Sequence, residues 1–160
     1  MIIQVDSREQ GNVEIIDYFK LIGQKYVVSK LYAGDYCNLN SPTILIDIKK
    51  DIEEVIMNLT KDHERFRNEI IRANEDMNCK LVILIREPSI RKLEDVKSYK
   101  VKTFGKYYKV KELRGKPRSQ MSMETLYKIM LTMQNKYNIE WRFCSRQDCA
   151  KNIIAILEDN

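Results

Sequence analysis

Gly34-Asp35-Tyr36-Cys37-Asn38-Leu39-Asn40-Ser41-Pro42-Thr43-Ile44-Leu45-Ile46-Asp47-Ile48-Lys49-Lys50-Asp51 is the stretch on which the fold of this chain turns. Leu39-Asn40-Ser41-Pro42 has the composition of a turn, and residues 43–49 read as a strand. Two runs joined by so short a connection predict an antiparallel hairpin. Strand side chains alternate with period two, so Asp47 and Lys49 share one face and Ile48 points to the other. Asp35, on the neighbouring arm, is in reach of the face that carries Asp47.

Two carboxylates on adjacent strands can hold a hard cation such as Mg²⁺, with waters and a phosphate completing its shell. Such a cation polarises a phosphoryl oxygen and lowers the pKa of an attacking water. A lysine two residues along can orient that water and stabilise the charge that builds at phosphorus. An Asp-x-Lys on a strand is common, and its simplest reading is a pair of solvent-facing side chains. Here the pair interrupts Ile44-Leu45-Ile46 and Ile48, a strand that should be largely buried. A buried carboxylate needs a cation or hydrogen bonds, so a metal or a fixed ion pair is favoured over solvent.

Outward from this hairpin, residues 2–6 alternate as a strand. Asn12 is placed to cap a helix carrying Ile15, Ile16, Phe19 and Ile22, which Gly23 ends. Residues 25–31 form a Val- and Tyr-rich strand, and residues 52–59 and 63–77 read as helices. Lys80-Leu81-Val82-Ile83-Leu84-Ile85 is apolar almost throughout, as suits a strand covered on both faces. Ser122 caps a helix over 123–137, residues 139–144 form a strand, and residues 148–157 close the chain as a helix. The expected architecture is α/β, a mixed sheet between layers of helices, in one domain over residues 1–160. Residues 88–120 fit no element.

With 160 residues, 44% hydrophobic and 32% charged, the chain has the composition of a globular domain rather than a disordered one. No apolar run reaches the ~20 residues of a membrane span, and the N-terminus lacks the pattern of a signal peptide. The four cysteines form no C-x-x-C pair and His63 is the single histidine, which argues against zinc. Reduced thiols in a cytoplasmic protein are expected (host cytoplasm if phage-encoded). Trp141 is expected in the core, and His63 at a helix start is expected to cap or pack. Residues 91–118 hold eleven Lys/Arg against three acids, a balance of +8, so the remainder carries −3 of the total of +5. That asymmetry suits a polyanion bound on one side, or a solvated charged loop.

Taken together, the motifs resemble the XPF-type family of structure-specific endonucleases. Val5-Asp6-Ser7-Arg8-Glu9 is similar to that family's V-D-x-R-E. Gly34-Asp35 is similar to its G-D, and Asp47-Ile48-Lys49-Lys50-Asp51-Ile52-Glu53 to its E-R-K-x-x-x-D. Arg65-Phe66-Arg67-Asn68-Glu69 resembles its R-F-x-x-E helix. The nearest likeness is to compact phage and prophage members. The resemblance implies a restriction-endonuclease-like three-layer α/β/α fold and a Mg²⁺- or Mn²⁺-dependent endonuclease that cuts DNA near branches, flaps or junctions. It implies Asp35 and Asp47 as metal ligands with the backbone carbonyl of Ile48, and Lys49 as catalytic. Asp6, Arg8 and Glu9 would border the site, Arg8 meeting phosphate.

Three residues depart from that pattern: Asp47 replaces Glu, Ile48 replaces Arg, and Glu53 replaces Asp. The missing Arg motivates a second reading, an inactive DNA-binding or scaffold member of the same fold. A third is a protein-binding module without nucleic acid. Larger members carry helix-hairpin-helix modules, for which no counterpart is expected here. The basic insert at about 88–120 is therefore expected to grip DNA. Lys100, Lys102, Lys106, Lys109 and Lys111 would neutralise phosphates. Tyr99, Phe104, Tyr107 and Tyr108 would stack on unpaired bases at ~1–3 kcal/mol each. A homodimer through the C-terminal strand and helices is expected, with the Met-rich helix 121–133 supplying apolar surface.

Overall fold

A computed structural model describes residues 1–100 and 121–159. Among the described residues six strands form one sheet: β1 (Ile3–Asp6), β2 (Tyr26–Ser29), β3 (Tyr36–Asn38), β4 (Ile44–Lys49), β5 (Lys80–Ile85) and β6 (Ile139–Phe143). Their spatial order is β2-β1-β3-β4-β5-β6. β3 runs antiparallel to both β1 and β4, while β1–β2, β4–β5 and β5–β6 are parallel, so the sheet is mixed as expected. The predicted hairpin is β3–β4, in register with Tyr36 opposite Ile46 and Cys37 opposite Leu45.

The helices are α1 (Val13–Ile22), α2 (Ile52–Thr60), α3 (His63–Ile71), α4 (Met123–Lys136) and α5 (Cys149–Glu158). On one side of the sheet, Leu45, Leu81, Ile83 and Ile85 pack with Ile52, Phe66, Ile70, Leu126 and Met130 of α2, α3 and α4. On the other, Val5, Tyr36, Ile46, Ile48, Val82 and Leu84 pack with Ile15 and Phe19 of α1 and Ile153 of α5. Alternate residues of β5 thus feed opposite cores, which explains its continuous apolar run.

Capping follows the sequence in part. Gly23 adopts φ 72° and ends α1, and Ser122 Oγ accepts the Thr125 amide at 3.1 Å. Asp51 caps α2 by accepting from Glu54 N at 2.8 Å. Asn12 occupies the cap position of α1, but its side chain makes no capping bond. The helix expected over 63–77 changes character: after Ile71 the backbone widens into a π-helical turn, Arg72–Asp76. Trp141 is in the core, its indole N–H donating to Met130 O at 2.9 Å. All four cysteines are buried free thiols. Among the described residues no helix is long and apolar enough to cross a membrane.

Residues 88–100 are not structureless. Leu93–Ser98 form a 3-10 helix, with Ile90, Leu93 and Val96 buried in the same core as Leu126 and Met130. The apolar spacing there is short, and it becomes an element only because α4 covers it.

Candidate active site on the β3–β4 hairpin

Asp47 and Lys49 project from β4 toward α2 and α3. The Lys49 ammonium lies 5.4 Å from the centre of the Phe66 ring on α3. Both residues are nearly sealed, at 4% and 5% exposure. Lys49 Nζ sits 2.7 Å from Asp47 Oδ2, an oxygen that makes no well-aligned hydrogen bond. Ile48, between them, joins the opposite core with Tyr36 and Leu84, as period-two alternation predicts.

Asp35 is brought to the same place by the turn that precedes β3. Gly34 has φ 70°, and a Cβ there would lie 3.1 Å from the Ile46 carbonyl oxygen. Only glycine makes that approach without strain. It lets Asp35 N donate to Ile46 O at 2.7 Å, while Asp35 Oδ2 accepts the Ile48 amide at 2.7 Å. The Asp35 carboxylate is thereby held against the backbone next to Asp47.

Burial pushes the Asp47 carboxyl up to about 7, with Lys49 opposing the shift. Burial likewise drives Asp35 well above the usual carboxylate range, and the neighbouring Asp47 charge adds to it. For Lys49, burial disfavours the ammonium, but Asp47, joined by the charges of Glu69 and Glu54, holds its pKa above the ordinary value. Two carboxylates that resist ionising side by side are a centre where a divalent cation would relieve the repulsion.

Asp6, Arg8 and Glu9 stand beside this centre. Asp6 N donates to the carbonyl of Asp35 at 2.8 Å. The buried Asp6 carboxylate accepts from Arg8 Nε at 2.8 Å and from Leu31 N at 3.3 Å. These bonds outweigh burial and keep its pKa low. Asp6 is therefore committed to orienting Arg8, whose side chain is 58% exposed and whose Nη2 also donates to Leu31 O at 2.8 Å. Glu9 Oε1 accepts from Gly11 N at 3.0 Å, and the Glu9 charge contributes to the raised pKa of Asp35.

Glu69, within the Arg65-Phe66-Arg67-Asn68-Glu69 motif, joins the site without being a residue that the sequence assigns to it. Its Oε1 accepts the Gly34 amide at 3.2 Å, and its charge acts on Asp35, Asp47 and Lys49. The signal was its spacing: Glu69 lies one helical turn after Phe66, on the face that meets the sheet. His63 begins α3 and is exposed, with Nδ1 3.3 Å from Thr60 O, so it packs locally.

Of the residues expected to grip DNA, Lys100 is exposed. Tyr99 is not a free stacking surface: it is half-buried, and its hydroxyl donates to Glu87 Oε2 at 3.0 Å. Lys102, Phe104, Lys106, Tyr107, Tyr108, Lys109 and Lys111 lie outside the described residues.

A hard cation fits what is present. Asp35 and Asp47 offer oxygen donors, and Asp47 Oδ2 is buried with Lys49 as its ionic contact. Among the described residues no group of three or more His, Cys, Asp or Glu is arranged around a common ion position, so waters and substrate would fill most of its shell.

A family model described as the ERCC4 domain matches residues 5–157. Among solved structures the chain is similar to XPF from Aeropyrum pernix, with a TM-score of 0.65 and 19% identity over 99% of this chain and 60% of that one. It is also similar to XPF from Aeropyrum pernix in complex with DNA, with a TM-score of 0.63 and 18% identity over 98% of this chain and 63% of that one. This chain thus spans less than two thirds of the length of those structures. The likeness shows the fold, a restriction-endonuclease-like α/β/α arrangement. No curated protein sequence matches.

Proposed function

Because this chain belongs to the ERCC4 domain family, a family of nucleases, we propose that it is a divalent-metal-dependent endonuclease acting on DNA near branches, flaps or junctions. The observation that carries the reading is the meeting of Asp35, Asp47 and Lys49 at one spot on the α2/α3 face of the hairpin. Asp35 and Asp47, with the Ile48 carbonyl, would hold Mg²⁺ or Mn²⁺. Bound there, the ion would polarise the scissile phosphate and acidify a water. Lys49, kept charged by Asp47, is in position to stabilise negative charge developing on the phosphate. Arg8, aimed by Asp6 and Leu31, would hold a neighbouring phosphate. Phe66 and the surrounding core keep bulk water from Lys49, which strengthens its electrostatic interactions.

The non-catalytic reading rested on Ile48. Its side chain packs in the opposite core, away from Asp47 and Lys49, so the lost cation leaves the proposed constellation intact. That favours an active enzyme. A homodimer is part of the proposal: among the described residues β6 is an edge of the sheet, and Met123, Leu131 and Met133 of α4 are only half-buried.

The test is cleavage of end-labelled flap, splayed-arm and linear duplex DNA with Mg²⁺, Mn²⁺ or EDTA. Metal-dependent cutting of the branched substrates, lost in Asp47→Ala, is expected. No cutting by the wild type, or unchanged cutting by that variant, rejects the reading.

A further inference from the structure

Tyr32 is an aromatic side chain that no described apolar residue covers. It lies between Leu31 and Ala33, both buried, yet is itself 58% exposed. Its backbone is not free to wander: Leu31 is gripped through its N–H by Asp6 at 3.3 Å and through its carbonyl by Arg8 at 2.8 Å. The ring is fixed from beneath as well. The π-helical turn Arg72–Asp76 presents two groups to it, the Arg72 guanidinium 5.9 Å from the ring centre and Asp76 Oδ2 accepting the phenol at 3.1 Å. Widened turns of this kind recur at functional sites because they re-aim side chains that a regular helix would separate. Nothing else in the described core calls for an Arg and an Asp to be spent on a surface tyrosine.

The position matters as much as the order. Only Ala33 and Gly34 separate Tyr32 from Asp35, so the two Cα atoms lie at most about 11 Å apart. A duplex strand carries one phosphate per about 3.4 Å of helix axis, so this short tether keeps the Tyr32 backbone within a few nucleotides of the candidate centre. Arg8, solvent-facing, reaches the carbonyl of Leu31, the residue that precedes Tyr32. A rigid π-face next to an oriented guanidinium is the pairing that holds single-stranded nucleic acid: the ring meets a base and the cation meets the backbone. A fully paired duplex offers no free base face, so the ring would discriminate between paired and unpaired DNA.

We propose that Tyr32 is a stacking platform for an unpaired nucleobase beside the reacting phosphate, and hence a residue that selects branched or flapped DNA over continuous duplex. The inference rests on DNA being the substrate of the hairpin site. Arg72 and Asp76 act as positioning residues that hold the ring in a binding-ready orientation, which lowers the entropic cost of stacking.

The experiment uses the full chain with Ca²⁺ in place of Mg²⁺ to hold off cleavage. One probe is a flap carrying 2-aminopurine at the first unpaired position, and the other is a continuous duplex of the same sequence. Wild type and Tyr32→Phe are expected to quench the 2-aminopurine fluorescence and to prefer the flap. Tyr32→Ala is expected to lose the quench and to bind the flap about 5- to 100-fold more weakly, with duplex affinity and thermal unfolding unchanged. A Tyr32→Ala variant that binds and quenches like wild type overturns the inference alone. So does an equal loss on both DNAs. A wild-type protein that binds neither DNA overturns the nuclease reading and this inference together.

Discussion

The ammonium of Lys49 and the carboxylate of Asp47 meet at 2.7 Å on one face of β4, each almost closed to solvent. Neither side chain is stable there alone, since a buried charge without its partner carries a desolvation penalty with nothing to offset it. Chemistry and stability therefore draw on the same two groups, and they can be pulled apart by substitution.

Asp47→Ala should destabilise the fold by about 3–5 kcal/mol, because it strands Lys49. The double variant Asp47→Leu with Lys49→Met should recover most of that loss and none of the cleavage. Urea unfolding curves and cleavage assays on the same preparations separate the two effects. If the single variant unfolds like wild type, the buried pair is not as close-knit as described.

Asp47 and Asp35 both titrate above the ordinary carboxylate range in the folded chain, Asp47 at about 7. Between roughly pH 4 and pH 7 the folded state therefore holds more protons than the unfolded state, and metal-free stability should fall as pH rises through that window. A divalent cation competes with those protons, so added Mn²⁺ should stabilise more at pH 8 than at pH 5. At a hundred times its Kd the gain is about 2.7 kcal/mol. Unfolding in EDTA and in Mn²⁺ at both pH values measures this. Stability that climbs from pH 5 to 8 in EDTA would contradict the burial of these acids.

Gly34→Ala should cost about 1–2 kcal/mol for the left-handed backbone alone, and more for the 3.1 Å approach of its Cβ to Ile46 O. Any relaxation moves Asp35, which follows directly in the chain. Since a misplacement of about 1 Å can cost on the order of 10²-fold in rate, cleavage should fall further than stability predicts. Thermal unfolding beside cleavage rates checks the split. Cleavage intact alongside lost stability would mean that Asp35 does not act in the reaction.

The hairpin could be read early because its cues are local. The turn at 39–42, the alternation along β4 and the apolar run of β5 each involve neighbours a few residues apart. The orientation of Ile48 away from Asp47 came from the same rule. The stretch after β5 is not legible in the same way: Ile90, Leu93 and Val96 are too sparse to announce an element, and only the covering α4 makes one. Tyr99 looked free for the same reason, since its partner Glu87 carries no mark of that bond in the sequence. The break in α3 was hidden as well, because the residues after Ile71 keep a helical pattern while the backbone widens.

Short-range periodicity was enough to establish the strands and the side of the sheet that bears Asp47 and Lys49, while the family likeness rests on the motif residues themselves. The surroundings of those residues were settled by contacts across the chain. Arg8 reaches Leu31 over 23 residues, Gly34 reaches Glu69 over 35, and Tyr32 reaches Asp76 over 44. No local repeat specifies such pairs. They exist because α3 and its π-turn dock on the sheet to bury Phe66 and Ile70, and the polar groups carried along must find partners where they land.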